Sequence, residues 1–332
     1  MKKKIFVDGS SGTTGLEINE RLSRYDNIEV IKIDYDKRRD ISERTKVLNE
    51  ADLVFLCLPD DAAKESVSLI TNPDTKIIDA STAHRTASGW TYGLPELSSA
   101  HKEAIIASKR VSNPGCHATA FTLSLYPLID HKVMAADYPV SCQSITGYSG
   151  GGKNLIEKYE LSVENNPYTK APRPYSLGFN HKHLKEMIMH SGLTMSPVFS
   201  PVLSDYYKGL ATLIPIHTRL LNKKLEGREI HNMFVDHYLN QPFVKVMPYV
   251  DENELKDSRV NSTILSEGFI FDGAIDITAC NNTNMAEIFV IGNDPRGIAM
   301  VVTRLDNLGK GASGAAIQNM NLMLGYDEKL NL

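Results

Sequence analysis

Cysteine is scarce, four residues in 332, and the four (Cys57, Cys116, Cys142 and Cys280) are scattered with no pair at metal-ligand spacing. That distribution supports neither a disulfide framework nor a zinc site. No run of about 18 apolar residues is present, so no membrane-spanning helix is expected. Asp8 and the glycines after it interrupt the apolar stretch that follows Lys2 to Lys4, so no secretory leader is expected either. Positive charge is not in excess: the net charge is -4 and the isoelectric point about 6.2, which gives no sign of a nucleic-acid surface. The expected partner is a small soluble molecule and the expected compartment the cytoplasm. Internal repeats and low-complexity segments are lacking too. With 42% hydrophobic and 23% charged residues the composition is that of an ordinary globular protein, and 332 residues suit two domains better than one core.

The first informative pattern is Lys3-Lys4-Ile5-Phe6-Val7-Asp8 followed by Gly9-Ser10-Ser11-Gly12-Thr13-Thr14-Gly15 and an amphipathic stretch, Leu16 to Leu22. It reads as strand, tight turn and helix. Glycines at this point let the backbone approach a pyrophosphate seated on the helix N-terminus, although the spacing is GxxGxxG rather than the commoner GxGxxG. A second strand, Ile28 to Ile33, follows at the distance a βαβ unit requires. Beyond it, Asp34 could accept hydrogen bonds from a ribose 2′-hydroxyl, whereas Arg38 or Arg39 could pair with a 2′-phosphate. Both types are present; the arginines favour NADP(H). The near-continuous apolar runs Ala51 to Pro59 and Lys76 to Ser81 alternate with helical patterns, as in a parallel sheet covered on both faces.

The second is Ser112-Asn113-Pro114-Gly115-Cys116-His117, where a turn places one cysteine at the start of a predicted helix, Ala118 to Ile129. Unsatisfied N–H groups and the helix dipole favour thiolate there, and the thiolate is the nucleophile. A lone cysteine can equally be a small buried hydrophobe. Past this point the pattern changes: Val140 to Ile145, Leu210 to His217, Gly268 to Ala279 and Ala286 to Gly292 alternate more and predict a mainly antiparallel sheet. Thr146-Gly147-Tyr148-Ser149-Gly150-Gly151-Gly152-Lys153 is expected to cradle an anion or substrate, unless it is a flexible hairpin loop. Asn180-His181-Lys182-His183 offers two imidazoles, either of which could act as base to the cysteine. Gly309-Lys310-Gly311-Ala312-Ser313-Gly314 leads into a last apolar helix, Ala315 to Leu324, expected to return to the first domain.

Taken together, Gly9 to Gly15, Asp79 to Arg85, Tyr92-Gly93-Leu94-Pro95-Glu96, Ser112 to His117, the Gly150 to Gly152 loop, His181-Lys182-His183 and the terminal glycine-rich helix resemble the shorter form of the N-acetyl-γ-glutamyl-phosphate reductases. Aspartate-semialdehyde dehydrogenase and glyceraldehyde-3-phosphate dehydrogenase are more distant likenesses. Lys185 stands where the family usually has proline, and Asp8-Gly9-Ser10-Ser11 is not the usual form of the first loop. The resemblance implies a Rossmann-like α/β domain, 1–116 plus 308–332, and an α+β catalytic and oligomerisation domain, 117–307. It implies NADPH-dependent reduction of N-acetylglutamyl phosphate to the semialdehyde through a thioester on Cys116, in arginine biosynthesis, by a homodimer or homotetramer. His181, or alternatively His183, would be the acid/base partner. Gly9 to Thr14, Arg38, Arg39, Ser81 and Asn307 would hold the cofactor, with Asn307 on the nicotinamide amide. Arg85, Ser112, Asn113, Ser149, Gly150, Lys153, Lys182 and Arg219 would line the substrate, with no metal. The alternatives are the same chemistry on another acyl phosphate, aspartyl phosphate above all, or a non-catalytic redox sensor resolved by Cys142.

Overall fold

The computed structural model describes residues 2–38, 40–160, 170–251, 270–271 and 274–332. The chain divides into two compact units, Met1–Gly115 with Gly311–Leu332, and Cys116–Lys310.

In the first unit β1 (Lys3–Asp8), β2 (Ile28–Ile31), β3 (Leu53–Leu56), β4 (Lys76–Asp79), β5 (Thr91–Tyr92) and β6 (Arg110–Ser112) form one sheet in the order β2-β1-β3-β4-β6-β5, every pair parallel. The period of two along each strand divides the apolar residues between two cores. Ile5, Val7, Leu53, Phe55 and Ile78 face one, and Phe6, Val54, Leu56 and Ile77 the other. Both faces are buried, so the strands read as continuous apolar runs rather than alternating ones. The connecting helices are α1 (Thr13–Leu22), α2 (Ile41–Glu50), α3 (Asp60–Leu69) and α4 (Ser99–Ala107). The terminal helix, Gly314–Leu324, packs Ala316, Ile317 and Met320 into the first core. Three of its polar residues are buried and bonded: Asn321 to Tyr25, Gln318 to Glu96 and Asn319 to the Gly93 carbonyl. The strand order reverses between the parallel neighbours β1 and β3, so the connections that leave their carboxyl ends turn to opposite sides of the sheet and leave a crevice.

The second unit is built on β7 (Ser141–Thr146), β8 (Arg173–Pro174), β9 (Val198–Leu203), β10 (Leu210–His217), β11 (Val244–Val246), β12 (Val250–Asp251), β15 (Ala286–Asn293) and β16 (Ile298–Leu305). The order is β11-β15-β16-β10-β7-β9-β8, with β12 also on β15. The central pairs are antiparallel, while β7–β9 and the two short strands on β15 are parallel, so the sheet is mixed but mostly antiparallel. The strand expected over Gly268 to Ala279 does not form as one piece, and part of it lies outside the described residues. What is described is a two-residue ribbon, β13 (Ile270–Phe271) with β14 (Ala274–Ile275), and then a turn in which Asp276 accepts from the Thr278 amide and hydroxyl. A local carboxylate bond of this kind competes with the strand ladder.

Helix α5 (Cys116–Asp130) packs on β10 and β16; the other α-helices among the described residues are α6 (Lys153–Glu160), α7 (Leu184–Ser191) and α8 (Gly227–His237), and α7 and α8 both pack on α5. Pro127 lies inside α5 and cannot donate to the Leu123 carbonyl four residues back. That carbonyl accepts instead from the buried Tyr238 hydroxyl at 2.7 Å, which lets the helix continue past proline. Among the described residues no helix is long and apolar enough to cross a membrane.

Candidate active site

The crevice in the first unit is a cleft of about 1120 Å3 lined by Asp8, Gly9, Ser10 and Ser11 after β1, Leu58 and Pro59 after β3, and Arg38 beyond β2. Gly9 sits at φ +87°, and a Cβ there would lie 2.2 Å from the Cys57 carbonyl oxygen. A Cβ at Gly15 would lie 2.5 Å from the Gly9 carbonyl, so the loop and the first turn of α1 meet backbone to backbone. Gly12 meets nothing closer than 3.7 Å; the protein itself leaves room there. Asp8 is held beneath the loop by Ser66 at 2.8 Å and by the buried Arg44, which also pairs with Glu65 at 2.7 Å. Thr13 and Thr14 open α1. A narrow glycine turn that borders a roomy cleft and leads into a helix suits a dinucleotide pyrophosphate. Arg38 is exposed on the cleft, and Arg39 lies outside the described residues. Ser81 is buried, and both its amide and its hydroxyl donate to Asp79, so its contribution is to the end of β4.

In the second unit Cys116 is the first residue of α5 and half-buried. Directly behind it the buried His117 bonds Ser144 Oγ through Nδ1 at 2.7 Å and the Tyr175 hydroxyl through Nε2 at 2.9 Å. His181 stands edge-on to His117 with ring centres 5.3 Å apart, and to His183 at 4.8 Å. Phe199 on β9 closes the cluster, 5.2 Å from His181. Burial, reinforced by His181 and Lys182, pushes the His117 pKa down to about 3. Burial and then Lys182 push His181 down to about 4. Both rings are therefore neutral near pH 7. Burial raises the Tyr175 pKa, and the Cys116 charge raises it further, which places the phenol within electrostatic reach of the sulfur. His181 Nδ1 accepts the His183 N–H at 3.2 Å, so its neutral ring carries the proton on Nε2. His183 is buried, with Nε2 4.0 Å from Glu186, itself buried on α7. Of the two histidines, His181 is the less buried.

Sequence reasoning gave no role to His117 or Ser144 and did not single out Tyr175. His117 directly follows the nucleophile candidate and alone had a signal; Tyr175 follows a Pro-Arg-Pro segment that carries none.

Several expected ligands are engaged elsewhere. Arg85 is buried and donates to the Asn113 and Ala80 carbonyls at 2.9 and 3.0 Å, bracing the ends of β4 and β6. Ser112 is buried within β6, and Asn113 is buried with Nδ2 on the Ala312 carbonyl and Oδ1 facing Asn319. The glycine loop does not present a row of open amides. Gly147, Tyr148 and Ser149 donate to the Gly209, Tyr206 and Tyr207 carbonyls, and Gly152 turns back to Ser149. Asn307, expected on the nicotinamide, is buried and ties this loop together, accepting from the Gly209 amide at 2.8 Å and donating to Ser149 Oγ at 2.9 Å. Gly150 is exposed, as is Lys153, which faces Glu157 at 3.8 Å. Lys182 is exposed beside the histidines. Arg219 follows the far end of β10, whose Thr212 pairs with Ser144. At about 3.3 Å per residue it stands roughly 20 Å from the His117 cluster of the same chain.

Two family models cover most of the chain: the semialdehyde dehydrogenase NAD binding domain matches residues 10–105, and the semialdehyde dehydrogenase dimerisation domain residues 116–307. A nucleotide cleft in one unit and a helix-start cysteine with an imidazole cluster in the other are thus those of a semialdehyde dehydrogenase that binds a nicotinamide dinucleotide and assembles with copies of itself. The fold is that of aspartate semialdehyde dehydrogenase II from Vibrio cholerae, with a TM-score of 0.70 at 11% identity over 98% of this chain and 99% of that one. The aspartate semialdehyde dehydrogenase solved with NADP from Candida albicans matches at a TM-score of 0.59 and 14% identity over all of both chains. In sequence the chain is 45% identical to N-acetyl-gamma-glutamyl-phosphate reductase 2 of Nostoc sp. across 100% of this chain and 99% of the relative. It is 41% identical to the reductase of Mesorhizobium japonicum across 98% and 100%. The chain belongs to the N-acetyl-gamma-glutamyl-phosphate reductase family.

Proposed function

We propose that this protein reduces N-acetyl-L-glutamyl 5-phosphate to N-acetyl-L-glutamate 5-semialdehyde, releasing phosphate, with NADPH as reductant and as a homodimer or homotetramer, in arginine biosynthesis. The observation that carries the reading is Cys116 at the first position of α5 with the His117–Tyr175–His181 cluster behind it, in a chain matched end to end by reductases of this name.

Cys116 attacks the acyl carbon; a C–S bond forms, the C–O bond to phosphate breaks, and phosphate leaves with its electron pair. The positive end of the α5 dipole would stabilise the oxyanion formed on the way. His181 donates from Nε2 to that oxygen, since its Nδ1 is held by the His183 amide. His183 and Glu186 set the position of His181, and Ser144, His117 and Tyr175 form a rigid neutral chain beside the sulfur. The nicotinamide, when bound, supplies the hydride that releases the aldehyde from the thioester and regenerates the thiolate. Gly9 to Ser11 would hold its pyrophosphate, and Arg38, which lines the same cleft, would read a 2′-phosphate.

The test is reduction of NADP+, and of NAD+ in parallel, driven by N-acetylglutamate semialdehyde with phosphate, beside aspartate semialdehyde. Phosphate-dependent turnover of the acetylated aldehyde with NADP+ is expected. Preference for aspartate semialdehyde would overturn the substrate, and preference for NAD+ the cofactor.

A further inference from the structure

At the end of α5 remote from Cys116, Asp130 and His131 meet His237, the last residue of α8. One ligand atom from each of the three lies within 4.8 Å of the others. His131 Nε2 and His237 Nδ1 face each other at 3.2 Å, with ring planes at 75°. A tetrahedral ion with metal–nitrogen bonds of about 2.0–2.1 Å needs its two nitrogens roughly 3.3–3.4 Å apart, so the rings already stand at the separation such an ion requires. Asp130 supplies the carboxylate; one of its oxygens accepts from the Tyr126 hydroxyl at 3.3 Å, a bond that orients it. The last turns of α5 and α8 both end here, so their partial negative charges add to that of Asp130. The neighbouring Lys223 bonds the His131 carbonyl at 3.2 Å rather than either ring, and does not fill the gap between them.

We propose that Asp130, His131 and His237 bind one divalent transition-metal ion of the zinc class, with solvent completing the coordination, and that the ion clamps the carboxyl ends of α5 and α8 together. Two imidazoles and one carboxylate are the donor set that borderline-soft ions such as Zn2+ and Co2+ take. The competing account of a 3.2 Å nitrogen–nitrogen contact is a shared proton, which needs no metal. The helices are already joined nearby through the Tyr238 bond to Leu123, so the ion would add to an existing contact and is not needed for the fold.

The experiment is titration of the full-length Cys116→Ser protein, which lacks the reactive thiol, with Zn2+ by calorimetry and with Co2+ by visible absorption. One saturable equivalent is expected, with a tetrahedral cobalt spectrum. His131→Ala and His237→Ala, each made in that background, are expected to weaken it by about tenfold or more. The same two substitutions in the otherwise unaltered enzyme are expected to leave reductase turnover unchanged, which also reports that they fold. Absence of saturable binding, or binding that survives both substitutions, would overturn the proposal in favour of the shared proton.

Discussion

The three glycines of the nucleotide loop are alike in sequence, yet the structure assigns them different physical duties, and alanine substitution separates them. At Gly9 alanine would have to hold φ +87°, at roughly 1–2 kcal/mol. Its Cβ would also sit 2.2 Å from the Cys57 carbonyl oxygen, a backbone atom of the neighbouring strand end that cannot rotate away. Relieving such overpacking costs about 1–3 kcal/mol more. Gly9→Ala should therefore lose about 2–5 kcal/mol, seen as a melting temperature lower by roughly 5–15 °C. Gly15→Ala should also be severe, because its Cβ would meet the Gly9 carbonyl at 2.5 Å and Ser10 Cα at 2.9 Å. Gly12 has a negative φ of -79°, and its nearest neighbour would be 3.7 Å away. As the residue capping α1 it should lose only about 1 kcal/mol on change to alanine. What Gly12→Ala should lose is dinucleotide affinity, since the space left open is where a pyrophosphate would approach. Calorimetric melting with and without NADPH, together with fluorescence titration of NADPH, reads both quantities. Equal destabilisation by Gly9→Ala and Gly12→Ala would refute the reasoning, as would unchanged NADPH affinity in Gly12→Ala.

Replacing Cys116 with serine should nearly abolish turnover while leaving NADPH affinity within a factor of two or so, because the crevice lies in the other unit; retained turnover would remove Cys116 from the reaction. The pH profile tests His181: its pKa is lowered to about 4, so the neutral ring prevails above that value, and activity that depends on it is present at higher pH and lost as pH falls through about 4. kcat/KM should accordingly show no inflection near the ordinary imidazole value of about 6.5, and one that disappears in His181→Asn would contradict the assignment. Tyr238→Phe should destabilise the protein by about 1–3 kcal/mol in urea denaturation, since it leaves the Leu123 carbonyl without its donor inside the apolar packing of α5. An unchanged midpoint would mean that Pro127 needs no such help.

The strand and helix pattern of the first unit was largely legible in the sequence, because strands buried on both faces carry unbroken apolar runs and because glycine and proline punctuate them. Ends were less so: the second strand stops at Ile31 rather than Ile33. In the second unit Leu210 to His217 appears as read, whereas the described end of the segment expected over Gly268 to Ala279 is a carboxylate turn at Asp276 to Thr278. A local side-chain bond of that sort leaves no mark on hydrophobic periodicity.

By itself the sequence determined where chemistry could occur: a cysteine at a helix start, a glycine turn after a strand, two imidazoles two residues apart. Those are local features, set by the conformational freedom of glycine and the unsatisfied amides of a helix end. Which polar groups face a ligand and which brace the scaffold was decided only by tertiary packing. Arg85, Asn113 and Asn307 read as ligands in the chain, and each is buried with hydrogen bonds to neighbouring backbone or side chains that the chain alone does not reveal. Tyr175 and Ser144 carry no signal in the chain, yet they flank His117 from β7 and from just past β8. A buried polar group must find partners wherever the fold places them, and those partners lie 27 and 58 residues away, beyond the reach of any local pattern.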